Sequence, residues 1–207
     1  MRVAVLASGR GSNLEALCAA QEKGELGKAK IVLVLSDKPM SLALERARFH
    51  RIGAIAVEPS AYLDKQEYEE QMLRVLKDYE VECLVLAGYM RLVGKTLLHA
   101  YEGRIINIHP SLLPSFPGLE AQTKAVSAGV KVSGCTVHFV DGGLDSGPII
   151  AQTCVPVLDQ DTASTLAARI LVEEHKLLPL VVRALSLGEI KRQDQLVVWP
   201  REERMEI

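Results

Sequence analysis

Short β-branched runs, each separated from the next by a helix-patterned stretch, do most to limit what this chain can become. They are VAVLA (3–7), IVLVLS (31–36), AIAV (54–57), CLVLA (83–87) and RIINI (104–108). Each is apolar at successive positions, so both of its faces need cover. Asn13 to about Lys23, Ser41 to about Ile52, Asp64 to Tyr79 and Lys95 to Tyr101 carry the helical patterns between them. Continuous apolar strands alternating with helices imply an α/β fold: an open, mostly parallel twisted sheet with helices on both faces, Rossmann-like in its first half.

After Val130 the pattern changes. VKVSGCTVHFV (130–140) alternates, as a strand with two unlike faces does, and PIIAQTCVPV (148–157) follows it across the glycine-rich DGGLDSG. These predict mixed strands in the C-terminal third. Asp161 to about Leu187 predicts one long helix, bent at Pro179. The remainder holds one apolar run, LVVW, and a charged end. With no repeat, linker or low-complexity tract, residues 1–207 are expected to form a single domain.

Composition excludes several function classes. Aromatic residues make up 4% of the chain, too few for a surface that stacks single-stranded bases. The net charge is −2 with scattered cations, so a nucleic-acid coat is not expected. Cys18, Cys83, Cys135 and Cys154 are far apart and form no CxxC, which argues against a metal site and a disulfide framework. The opening MRVAVLASGRGSN is too short an apolar run for a signal peptide, and no stretch approaches the length of a membrane span. The chain is therefore expected to be cytoplasmic, with small-molecule substrates and neither a nucleic-acid nor a membrane partner. Monomer and homodimer both stand open.

SGRGSN (8–13) lies between a buried strand and a helix start, where exposed N–H groups welcome an anion. A dinucleotide fingerprint needs a third glycine, and position 14 is Leu; Asp37, where a ribose-binding acid would sit, is followed by Lys-Pro. That counts against an NAD-binding oxidoreductase. Phosphate held by Gly11, Ser12 and Asn13 is the favoured reading, with a plain turn capped by Ser12 or Asn13 as the other.

NIHPSLLPSFPG (107–118) is the stiffest stretch of the chain. Asn107 and His109 are two apart at the end of a strand, so their side chains emerge on one side, at the end of a parallel strand where α/β ligands bind. A carboxamide beside an imidazole suits a carbonyl oxygen becoming an oxyanion. Pro110, Pro114 and Pro117 restrict the loop that follows. His109 could equally be a strand-end residue bonded to backbone. Asp145 closes DGGLD and would support an imidazolium if it reached one, though an Asp there is also an ordinary turn residue.

His138, mid-strand, is more readily structural than substrate-touching, and His50, His99 and His175 fall on helical patterns as surface or packing residues. Glu174 is odder. It continues the apolar stripe of Leu166, Ile170 and Leu177, and a carboxylate on that face needs a partner, which a ligand amine would supply. Otherwise it lies at the edge of the stripe and bends out to water.

Taken in order, SGRGSN, AGYMRLV (87–93), NIHPSLLPSFPG, GCTVHFVDGGLDSGPI (134–149) and EEH (173–175) resemble the phosphoribosylglycinamide formyltransferases over nearly the whole chain. The resemblance implies transfer of a formyl group from 10-formyltetrahydrofolate, without a metal, to the amine of glycinamide ribonucleotide in purine biosynthesis. It implies Asn107, His109 and Asp145 as the catalytic set: His109 and Asn107 on the oxyanion, Asp145 on the charged imidazole. It also implies ribonucleotide contacts from Gly11, Ser12, Asn13 and Glu174. Folate contacts are implied from Met90, Arg91, Leu92, Val93, Asn107, Asp141 and Lys65, so that the C-terminal half is folate-binding and catalytic. One departure is PGLEAQ, with Glu120 where the family commonly has histidine. Among related families, 10-formyltetrahydrofolate hydrolase shares the Asn-His-Asp set but adds an N-terminal regulatory domain, and methionyl-tRNA formyltransferase adds a C-terminal RNA-contacting one. Neither addition is expected here. A non-catalytic nucleotide-binding module would not need Asn107, His109 and Asp145 together.

Overall fold

A computed structural model describes residues 1–199; the charged end at 200–207 lies outside the described residues. Seven strands form one sheet in the order β3-β2-β1-β4-β5-β6-β7. The first five, β1 (Arg2–Leu6), β2 (Lys30–Ser36), β3 (Gly53–Ala56), β4 (Cys83–Leu86) and β5 (Ile105–His109), are parallel. β6 (Val132–Phe139) and β7 (Ile149–Pro156) join the β5 edge in antiparallel register. The helices are α1 (Ser12–Glu22), α2 (Leu42–Phe49), α3 (Lys65–Asp78), α4 (Lys95–Ala100), α5 (Ala121–Ser127) and α6 (Ala163–Leu187).

The apolar runs behave as their composition requires. Val3 and Val5 of β1 enter one core with Leu14 and Leu17 of α1 and Leu166, Ile170 and Leu177 of α6. Ala4 and Leu6 enter a second core with Tyr68 and Met72 of α3 and Leu97 of α4. Period-two alternation thus serves two buried faces, and each large aliphatic side chain so buried contributes roughly 1.5–3 kcal/mol.

β6 departs from expectation. Its alternation predicted one exposed face, yet every residue from Ser133 to Phe139 is buried. The strand is interior, between β5 and β7, and its polar residues are used inside. Thr136 Oγ1 donates to Ser111 O at 2.6 Å and accepts from Leu113 N–H at 3.1 Å, fastening the proline-rich loop to the sheet. α6 runs unbroken through Pro179 over 25 residues, opened by a capping box at Thr162 and Thr165 and closed by Gly188 in the left-handed region. α5 was not visible in the sequence: seven residues with only Ala121 and Ala125 buried give no periodic signal. LVVW belongs largely to a small hairpin of β8 (Lys191–Gln193) and β9 (Leu196–Val198). No described helix is long and apolar enough to cross a membrane.

Candidate active site

The parallel strands deliver their carboxyl ends to one cleft of about 1210 Å³. The turn after β1 brings Gly11, Ser12 and Asn13, and the segment after β4 brings Met90 to Val93. β5 brings Asn107 and His109, while Glu174 faces in from α6. Lys65, Asp141 and Asp145 complete the sequence-predicted residues lining it, with His138 and Glu120 beside them.

Asp145 is the hub. It lies in the loop between β6 and β7 with φ 50°, and that loop folds back to β5. Its Oδ2 accepts from Gly118 N–H at 2.8 Å and lies 3.3 Å from His109 Nδ1; its Oδ1 accepts from Asn107 Nδ2 at 3.3 Å. These partners join two loops and a strand through one carboxylate. The Asp145 carboxyl is held down to about 2, chiefly by the His138 ring beside it, with the Gly118 N–H and the nearby His109 ring adding to this against burial.

His109 is buried, with Nε2 donating to Phe116 O at 3.0 Å. Because a carbonyl only accepts, Nε2 carries a proton, and Nδ1 is left facing Asp145. Burial pushes the His109 pKa below its ordinary value, against the pull of the Phe116 carbonyl and Asp145. Each ring nitrogen thus faces an acceptor that favours charge on the ring, and burial opposes that charge.

His138 is the residue the sequence undervalued. Its Nε2 lies 3.1 Å from Asn107 Nδ2 and 3.6 Å from Asp145 Oδ1, and Nδ1 donates to Phe139 O at 2.8 Å. With the proton on Nδ1, Nε2 accepts from Asn107 and fixes that carboxamide with its nitrogen inward. The available signal was register: in an antiparallel β5–β6 pair, His138 stands opposite Asn107.

At the other side of the cleft the helix α1 opens on Gly11 at φ 72°, with no side-chain cap. A Cβ at Gly11 would stand 2.8 Å from Ala43 Cα, so both the backbone angle and α2 demand glycine. The capped-turn reading fails: Asn13 turns away from the helix end, and its Nδ2 donates to Glu174 Oε2 at 2.7 Å. Glu174 is indeed buried in the apolar stripe, and burial raises its pKa while the Asn13 bond lowers it. Asn13 Oδ1 is buried without a partner, an acceptor left beside the carboxylate.

The wall at 90–93 is held from behind. Met90 N–H donates to Ser8 Oγ at 2.9 Å, the Arg91 guanidinium lies 5.6 Å from the Tyr68 ring centre, and Gly94 N–H donates to the buried Glu69. Met90 and Leu92 stay exposed toward the cleft at 58% and 64%, an apolar surface with nothing over it. Asp141 is engaged within its own loop, accepting from Gly143 N–H and Ser146 Oγ–H. His99 is exposed, and His50 packs between α1 and α2.

The description "Formyl transferase" matches residues 1–182. A phosphoribosylglycinamide formyltransferase of Bacillus subtilis is 49% identical over 184 residues, 89% of this chain and 94% of that protein. The chain belongs to the phosphoribosylglycinamide formyltransferases. The crystal structure of glycinamide ribonucleotide transformylase 1 from Symbiobacterium toebii superimposes on this formyltransferase with a TM-score of 0.94 at 44% identity, covering 97% of this chain and 94% of that one. A formyltetrahydrofolate deformylase from Pseudomonas syringae shares the fold at a TM-score of 0.86 and 29% identity; the match spans 96% of this formyltransferase but 65% of that chain.

Proposed function

We propose that this enzyme moves the formyl group of 10-formyltetrahydrofolate to the amine of glycinamide ribonucleotide. The observation that carries the reading is the contact of Asn107, His109 and Asp145 in a cleft lined by two unlike sets of residues. One set is a helix N-terminus with Glu174 and the unpartnered Asn13 Oδ1, suited to a phosphate and an N–H-bearing group. The other is the apolar wall at 90–93, suited to a planar ring. At about 1210 Å³ the cleft exceeds the roughly 300–1,000 Å³ of a single-ligand pocket, in keeping with two substrates side by side.

In this scheme Glu174 accepts from the substrate amine and aims its lone pair at the formyl carbon. As the new C–N bond forms, the formyl oxygen becomes an oxyanion between Asn107 and His109. Asn107 Nδ2 turns to it the N–H that Asp145 Oδ1 otherwise accepts, and His109 Nε2 exchanges the Phe116 carbonyl for it. Charge drawn onto the ring is balanced by Asp145. The oxyanion then collapses, the bond to folate N10 breaks, and the proton lost by the amine is taken up at N10, so that tetrahydrofolate leaves.

The test is release of tetrahydrofolate with and without glycinamide ribonucleotide. Release dependent on the ribonucleotide supports transfer; equal release without it makes the enzyme a hydrolase. His109→Ala should lower turnover by on the order of 10² to 10³, and turnover near wild type would remove His109 from the scheme.

A further inference from the structure

The turn after β1 is gripped from behind by α2. Ala43 N–H donates to Gly9 O at 3.1 Å, and Arg46 Nε–H donates to Arg10 O at 3.0 Å. Two carbonyls of the turn are thereby satisfied, while the first N–H groups of α1 have no intrahelical acceptor. Glu15 works against an anion at that end. It stands in the first turn of α1, where its carboxylate would repel the phosphate that the helix dipole attracts.

α2 deals with this charge. Arg46 Nη1 donates to Glu15 Oε2 at 2.6 Å, and His50 Nε2 lies 3.1 Å from Glu15 Oε1. The other ring nitrogen of His50 lies 2.8 Å from Glu22 Oε1. The Arg46 bond is the main cause holding the Glu15 carboxyl below its ordinary value, so the carboxylate is ionised and matched. Burial opposes charge on His50, yet the hydrogen bonds to Glu15 and Glu22 raise its pKa. Arg46, Glu15 and Ser12 line a second cavity of about 300 Å³, and Ser12 lines the main cleft as well. Ser12 is therefore shared between the cavity that holds the charge pair and the cleft that holds the phosphate turn.

We propose that Arg46 is a positioning residue for the ribonucleotide phosphate, acting by neutralising Glu15 and by fixing the Arg10 carbonyl. This rests on the phosphate reading of the Gly11–Asn13 turn. The neutralising part acts through charge, so it bears on an anion seated at that turn and is screened by salt. It is also reversible at a second position, which a purely structural brace would not be.

The experiment is calorimetric binding of glycinamide ribonucleotide, and separately of tetrahydrofolate, to wild type, Arg46→Ala, Glu15→Gln and the double variant. Arg46→Ala should raise the ribonucleotide Kd about tenfold at low salt, less at high salt, with the tetrahydrofolate Kd unchanged. Glu15→Gln alone, which leaves the Arg46 charge unmatched, should bind the ribonucleotide more tightly than wild type at low salt, and in the Arg46→Ala background it should recover most of the loss. Arg46→Lys, which keeps the charge, should lose less than Arg46→Ala and serves if the latter does not fold. An unchanged ribonucleotide Kd in the Arg46 variants overturns the proposal, as does a double variant as weak as Arg46→Ala. Failure of the wild-type enzyme to bind the ribonucleotide is a separate result and overturns the acceptor assignment itself.

Discussion

Replacing Asp145 by Asn removes its negative charge while keeping its shape and one acceptor oxygen. The asparagine oxygen can still accept from Gly118 N–H, but its nitrogen then faces Asn107 Nδ2, donor against donor. The Asp145 pKa falls from 3.8 to about 2 in the folded enzyme, which corresponds to at most about 2.5 kcal/mol of stability. Solvent entering the cleft screens part of this, so about 1–2 kcal/mol is expected. A carboxyl whose folded pKa is depressed stabilises the protein above its unfolded value and loses that contribution as pH falls through the folded one. The gap in Tm between wild type and Asp145→Asn should thus be roughly 2–8 °C at pH 7 and narrow as pH falls from about 4 toward about 2. Turnover should drop by on the order of 10³, since the imidazolium loses its counter-charge. The assays are thermal melts at pH 7 and pH 3 and a ribonucleotide-dependent tetrahydrofolate release assay. Turnover within tenfold of wild type, or a Tm gap that does not narrow with acid, would refute the role assigned to the charge.

Two further substitutions probe the fold and the acceptor side. Gly134→Ala should destabilise the enzyme by about 3 kcal/mol or more, because a Cβ there would stand 2.0 Å from Thr153 O and 2.8 Å from Leu112 Cδ2; a denaturant midpoint unmoved from wild type would contradict this packing. Glu174→Gln should weaken ribonucleotide binding while raising Tm at neutral pH. Burial raises the Glu174 pKa, so its contribution to stability is lost as pH rises through the folded value, and a neutral amide escapes that loss. Melts at pH 7 together with ribonucleotide calorimetry check both halves, and an amide variant less stable than wild type would contradict the sign.

What was legible in the sequence follows from where each constraint resides. The interior parallel strands could be found because both of their faces are buried, and burial on both faces demands an unbroken apolar run; β3, at the edge, is only half-buried. Glu174 could be found because a carboxylate interrupting the stripe of Leu166, Ile170 and Leu177 violates a periodic rule visible along the chain. α5 could not: only Ala121 and Ala125 are buried, and with polar residues such as Gln122 and Lys124 between them seven residues show no apolar period. β6 misled because Thr136 and His138 alternate with apolar residues for reasons of hydrogen bonding inside the molecule, and alternation alone cannot tell water from a buried partner. The Arg46–Glu15 pair was invisible for a related reason. Both residues look like solvated helix surface, and only the packing of α2 on α1 makes them neighbours.

The same distinction explains how the site is built. Asn107 and His109 share a side of β5 by strand geometry alone, so two members of the catalytic set are fixed by the period of a strand. Asp145 and His138 are not fixed that way. They arrive because the sheet switches from parallel to antiparallel at β5, which puts His138 directly opposite Asn107 and sends the following loop back to His109. That loop can be short because β6 and β7 are antiparallel; a parallel pair would have needed a crossover in its place. The change of strand direction is therefore what lets one carboxylate, one carboxamide and two imidazoles meet, and the polar residues of β6 that tie down the 111–113 loop hold that meeting place from its far side.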